Sequence, residues 1–231
     1  MKHLLLLAVC AMAMGGMTSC LGSDDDEGFD SRFTQEELNT YLAKLSGTYS
    51  GKLMFYYRGL NAEGTSDSLM LDSIENIKWT INRDSTIVIE NFPDSIYNNA
   101  ITGNSDFRKI LANAPEKQLV CRYSPYKGLT QANTVDYGFF VLPDGTTKNN
   151  AVYTKTQIQG EDGKLYEVEY GYVTYFVSGY YAYQANGYLS ATGDLNFMIL
   201  MKDIQCPGTQ GFMTEGYPVL LKGTKTSTGT Y

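Results

Sequence analysis

Ile77-Lys78-Trp79-Thr80-Ile81-Asn82-Arg83-Asp84-Ser85-Thr86-Ile87-Val88-Ile89 is the stretch that decides the fold. Ile77, Trp79 and Ile81 alternate with Lys78, Thr80 and Asn82, the period of two expected when one strand face is buried and the other wet. Arg83-Asp84-Ser85 then turns the chain into Thr86-Ile87-Val88-Ile89, so the whole reads as a β-hairpin with Trp79 in the core. Asn91-Phe92-Pro93-Asp94 ends it, because proline has no N–H to give to a ladder.

The same pattern extends on both sides. Upstream, Tyr49, Leu53, Phe55 and Tyr57 share one strand face, with Gly51 on that face marking a bend or a close approach. Before them, 31–46 reads as the one clear helix. Thr34 and Glu37 form a capping box, Leu38, Tyr41, Leu42 and Leu45 recur at helical spacing, and Gly47 stops it. A polar loop occupies 59–68, and a short helix is expected over 105–113, capped by Ser105 and ended near Pro115. Downstream, strands are expected at 135–142, 151–158, 164–177, 187–192, 195–202 and 217–222. Pro143-Asp144-Gly145 and Glu161-Asp162-Gly163 serve as turns whose glycines take positive φ. The Thr, Ser and Gly tail 223–230 is expected to fray. Regular hairpins with few helices imply a mainly β fold. It is an antiparallel meandering barrel of lipocalin or calycin-like type, or a two-sheet sandwich, with the N-terminal helix packed at one end.

Composition excludes several functions. The chain holds 19 Tyr, 10 Phe and 23 Gly, which suits strands and turns. Its one histidine is His3, at the start of the leader described below. Ser-His-Asp and Cys-His catalysis, and imidazole-rich metal sites, therefore have no basis in the remainder. No cofactor or phosphate-loop motif is present, and no metal ligand set or catalytic residue stands out. The 18 basic residues less Lys2 leave 17 against 25 acidic ones, scattered rather than clustered, so nucleic acid is not an expected partner.

The N-terminus carries the most specific signal. Lys2 and His3 precede an apolar run, Leu4 to Met14, shorter than the roughly 20 residues a membrane span needs. Met17-Thr18-Ser19-Cys20 closes it and Asp24-Asp25-Asp26-Glu27 follows. A cysteine directly after small residues resembles the lipobox of bacterial lipoproteins, which implies cleavage after residue 19 and acylation of Cys20. The acid run resembles the surface-export signal of Bacteroidota lipoproteins. The organisation expected is a signal peptide at 1–19, a lipidated Cys20 with an acidic tether to 30, and one β-rich domain at 31–231. The protein would sit in the outer membrane, held by its lipid anchor and facing the cell surface. Together with this leader, Gly47-Thr48-Tyr49-Ser50-Gly51-Lys52, the hairpin 79–89 and Asn91-Phe92-Pro93 resemble a family of Bacteroides-type lipoproteins known only as a domain of unknown function. The Gly-Thr-Tyr-x-Gly opening is similar to that of calycin-like barrel lipoproteins. The resemblance implies a location and a β-rich fold, and no site residues.

The remaining candidates come from local density. Eight tyrosines fall between 166 and 188. Aromatic rings stack on sugar faces and hydroxyls direct hydrogen bonds, so Tyr172, Tyr175, Tyr180, Tyr181, Tyr183 and Tyr188 are candidate ligand or glycan contacts. Tyrosine also suits half-buried strand faces, where its body packs and its tip stays wet. Glu167 and Glu169 share a strand face about 7 Å apart, a spacing compatible with carboxylate catalysis and equally with a solvated face. Cys121 and Cys206 are a candidate disulfide in an oxidising compartment, or two buried free thiols. Three functions stay open: a ligand- or glycan-binding module, a structural lipoprotein with an envelope protein partner, and a carboxylate hydrolase.

Overall fold

The computed structural model describes residues 30–60, 67–101, 105–129, 135–148, 151–173, 186–209 and 217–228. Among them are two helices, α1 (Gln35–Leu45) and α2 (Ser105–Ala112), and a 3-10 helix, Asp94–Ala100. The strands are β1 (Gly47–Leu60), β2 (Asp67–Ile81), β3 (Thr86–Pro93), β4 (Glu116–Leu129), β5 (Val135–Pro143) and β6 (Thr146–Lys148). They continue with β7 (Ala151–Gln159), β8 (Leu165–Val173), β9 (Gly187–Leu189), β10 (Asp194–Gln205) and β11 (Tyr217–Thr228).

Every pairing is antiparallel, in the order β11-β1-β2-β3-β4-β5-β9-β10, and β10 pairs back onto β11. The result is a closed eight-stranded barrel, so the sandwich alternative falls away. Closure removes the sheet edges that an open sheet would have to protect. The remaining strands form a ribbon. β8 joins the same edge of β10 that β9 occupies, pairing with Met201–Gln205 while β9 takes Leu195–Phe197, and β7 and β6 extend outward from β8. Where β9 ends, the Asn186 side chain continues the wall. Its amide donates to the carbonyls of Val141 and Met198, and its Oδ1 accepts from the Val141 N–H.

The hairpin at 77–89 behaves as its alternation requires. Ile77, Trp79, Ile81, Ile87 and Ile89 are all buried and Lys78 is exposed. Ser85 sits at φ 68° in the turn, where Asp84 Oδ1 receives the Thr86 N–H. Trp79 stacks on Tyr49 at 6.0 Å between ring centres and meets the edge of Phe197 at 5.8 Å. Gly51 and Gly223 pair across β1 and β11 above the Trp79 ring. A Cβ on Gly223 would lie 2.6 Å from the indole, and one on Gly51 would strike the Lys222 carbonyl and the Gly223 Cα. Gly51 is therefore a close approach, and the register slips immediately after it.

Several expectations are corrected. β2 begins at Asp67, inside the expected 59–68 loop, because β1 and β2 pair far beyond the apolar alternation, to Leu60 and Asp67. β4 was not expected; Pro125 within it argues against a strand. The β3–β4 pairing ends at Thr86–Arg122, and Pro125 pairs only with Phe139 of β5, so its missing N–H costs no ladder bond on the other side. Residues 223–228 do not fray, since β11 pairs through Thr228 with β1. Gly163 takes φ 78° as expected. Gly145 is not at positive φ; a Cβ there would sit 2.5 Å from the Tyr153 carbonyl. The 3-10 helix 94–100 carries no periodicity that would have announced it, while α2 matches the expected short helix.

Candidate functional site

Helix α1 covers one end of the barrel and forms a wall of a groove there. Thr34 caps it through the Glu37 N–H at 3.2 Å, and Glu37 returns a contact to the Thr34 N–H at 2.8 Å. Its buried side meets the barrel through an aromatic triad, Phe33, Tyr41 and Tyr137, with ring centres 5.7–5.8 Å apart. Three polar ties set its position. The Tyr49 hydroxyl donates to the Leu45 carbonyl at 2.6 Å, Lys127 holds the Glu37 carboxylate at 2.8 and 3.0 Å, and Lys225 reaches the carbonyls of Lys44 and Ser46 at 2.7 and 2.6 Å. The last tie places a cation at the helix C-terminus, where carbonyls lack partners and the dipole favours positive charge.

Between α1, the start of β5 and the β9–β10 turn lies a groove of about 710 Å³. The helix presents Glu36, Glu37, Thr40, Tyr41 and Lys44; β5 gives Asp136 and Tyr137; β9 gives Tyr188 and the turn after it Ser190; Tyr49 and Lys225 complete the lining. Tyr188 is 45% exposed, and the nine-tenths-buried Tyr41 carries a hydroxyl with no hydrogen-bond partner. The electrostatics are uneven. The hydrogen bonds from Lys127 and then from the Thr34 N–H hold the Glu37 carboxyl below its ordinary pKa, and burial lowers that of Lys225. Burial first, with Tyr123, Tyr49 and Asp136 adding to it, pushes the Tyr41 phenol far up, so it is a neutral donor.

A second polar cluster lies inside, at the junction of the barrel and the β6–β8 ribbon. Asp94 is 1% exposed and pairs with Lys117 at 2.6 Å, and the Lys117 ammonium lies 4.7 Å from the centre of the Tyr170 ring. Tyr97, Tyr170 and Tyr172 are fully buried around it. Their hydroxyls, with Asp94 Oδ1 and Thr154 Oγ1, form no hydrogen bond of normal geometry; burial first, with the nearby Asp94 charge adding to it, raises the pKa of the Tyr97 and Tyr170 phenols. Burial raises the Asp94 carboxyl against the opposing pull of Lys117. Buried polar atoms of this kind are ordinarily satisfied by direct bonds or ordered water.

The sequence candidates divide sharply. Tyr188 reaches the groove. Tyr172 does not: Val168, Tyr170 and Tyr172 are the inward positions of β8, so it belongs to the core and is removed from the ligand surface. Tyr175, Tyr180, Tyr181 and Tyr183 lie outside the described residues, as does Cys20 with its tether. Cys121 and Cys206 are buried free thiols, unbridged in this structure. Glu167 and Glu169 lie beside Lys155, at 2.7 and 3.9 Å, partly exposed on the ribbon, and neither is among the residues that line the groove. Among the described residues, no three His, Cys, Asp or Glu side chains form a cluster able to hold a metal. The groove residues that local reading missed are Lys44, Asp136, Tyr137 and Lys225. Each is ordinary in its own segment, and only barrel closure brings them together.

No curated protein and no solved structure matches this chain. A family model does, over residues 44–206, from the end of α1 to the end of β10. Because that match covers more than two thirds of the sequence, the chain belongs to the DUF4840 family, a domain of unknown function built here as a closed eight-stranded antiparallel barrel.

Proposed function

We propose that this protein is a surface-facing outer-membrane lipoprotein that binds glycans in the groove beneath α1. The groove carries the reading. It pairs an exposed ring, Tyr188, with a half-buried one, Tyr137, and sets hydroxyl, carboxylate and ammonium groups around them. Sugars present apolar ring faces and a rim of hydroxyls, and this mixture of rigid aromatic area with a few convergent polar groups is what such a ligand requires. The lipobox-like Met17-Thr18-Ser19-Cys20 and the acids behind it support the location. One acyl chain gives only marginal membrane binding, so a multiply acylated Cys20 would supply a stable anchor without a spanning helix.

The test is a glycan-array screen of the full-length, detergent-solubilised protein beside its Tyr188→Ala variant. Selective binding lost in the variant supports the reading; no binding, or binding that survives the substitution unchanged, overturns it. Alkyne fatty-acid labelling of cells expressing wild type and Cys20→Ala tests the anchor, and equal labelling would reject it. A second reading, contact with an envelope protein, has one observation in its favour. Tyr56 and Leu71 are cross-strand neighbours on the β1–β2 hairpin, 38% and 52% exposed.

A further inference from the structure

We infer that the groove selects zwitterionic glycans, chains bearing both a free amino group and an acidic group set several sugar bonds apart. This rests on the glycan reading and specifies its ligand class. The helix is the ruler. Glu37, Thr40, Tyr41 and Lys44 follow one another at i, i+3, i+4 and i+7, so one face of α1 runs along the groove from an acidic to a basic end. Seven residues of helix span roughly 10 Å.

At the acidic end Glu37 is already neutralised by Lys127, but Glu36 and Asp136 line the groove with no ion-pair partner among the described residues. They are what a glycan ammonium would meet. At the basic end Lys225 is fixed by two backbone carbonyls and lies 5.6 Å from the centre of the Tyr49 ring. An ammonium has three donors, so one remains for a ligand carboxylate or phosphate. Lys44 stands beside it, also without an ion-pair partner among the described residues. Between the two ends, the Thr40 hydroxyl and the half-buried Tyr137 ring line the groove and suit a sugar's hydroxyl rim and apolar face. A neutral glycan would satisfy the middle and leave both ends unused. A purely acidic or purely amino one would use one end and place like charge against the other.

The experiment is calorimetric titration of the full-length protein in detergent with four tetrasaccharides: neutral chitotetraose, its fully deacetylated amine form, heparosan tetrasaccharide carrying acids alone, and N-deacetylated heparosan carrying both. The expected result is affinity at least tenfold higher for the last. That advantage should shrink in Asp136→Asn to the acid-only level and in Lys44→Gln to the amine-only level, and fall steeply with salt. Unchanged thermal midpoints will show that both variants are folded. Chitotetraose binding as tightly as the zwitterion, and lost in Tyr188→Ala, would overturn the charge selectivity while leaving the groove as a glycan site. Failure of all four sugars to bind would count against the glycan reading and take this inference with it. Tight zwitterion binding indifferent to Asp136 and Lys44 would place the ligand elsewhere and also reject the inference.

Discussion

The two polar regions of this barrel are built from the same parts and put to opposite uses. Beneath the ribbon, Tyr97, Tyr170 and Tyr172 surround a carboxylate paired to a lysine, Asp94–Lys117, with the carboxylate and all three rings almost completely buried. Beneath α1, Tyr41, Tyr137 and Tyr188 accompany another such pair, Glu37–Lys127, whose carboxylate is 32% exposed. In the first region desolvation dominates and the acid's pKa rises; in the second hydrogen bonds dominate and it falls. Residue type alone therefore does not mark a binding surface here. What distinguishes a packing tyrosine from a contact tyrosine is which face of its strand closes onto the core.

The largest effect expected is on packing. Tyr172→Ala should lose about 3–5 kcal/mol, as large aromatic truncations in close-packed cores do, read from the urea midpoint at constant slope. A loss below about 1 kcal/mol would mean that the ring is not core. Lys117→Met comes next. It strands the Asp94 carboxylate and should cost about 3 kcal/mol, the lower end of the range for a broken buried pair because Lys117 keeps 23% of its side-chain surface exposed. Replacing both partners with apolar residues should recover most of it. Lys127→Met should cost clearly less, because the carboxylate it leaves unpaired, Glu37, is 32% exposed against 1% for Asp94, and equal losses would erase the distinction between the regions.

Acid–base behaviour sharpens the contrast. The folded protein retains the Asp94 proton where the unfolded chain has lost it. This group's contribution to stability therefore falls as pH climbs from the ordinary carboxylate value, about 4, through the raised one, and is level above. Glu37 behaves inversely. Its stabilisation is fully present above the unfolded value and disappears as pH drops through the lowered one. In urea melts across the acid range, Asp94→Asn should remove a downward slope and Glu37→Gln an acid-side loss. Shifts of the same sign in both would show that the two pairs share one environment.

The smaller effects fall at the helix end. Thr34→Ala removes the cap and should cost about 1 kcal/mol. Tyr188→Ala should change stability by no more than about 0.5 kcal/mol while weakening glycan binding, because its ring is 45% exposed. If that substitution destabilises by a core-like amount, Tyr188 is packing and the groove loses its platform.

Period-two alternation and turn chemistry were sufficient for the mainly β class, for burial of Trp79, and for most strands after 135, since these depend on neighbours in sequence. The capping box at Thr34 and Glu37 likewise declared α1. Barrel rather than sandwich was not decidable locally, because it rests on β10 pairing with β11 and on β9 bridging β5 to β10, contacts among segments distant in sequence. β4 was hidden by Pro125, whose tolerance depends on which partner strand stops first. The candidate site was legible in one residue, Tyr188. Tyr172, from the same tyrosine-rich stretch, faces inward because β8 turns its even positions to the core. Lys44, Asp136 and Lys225 are unremarkable surface charges until closure of the barrel brings α1, β5 and β11 to one rim. Local chemistry thus determined most of the strands and the capped helix α1. Only the tertiary structure decided which tyrosines meet water and which charges share a groove, because those depend on pairing across the closed sheet.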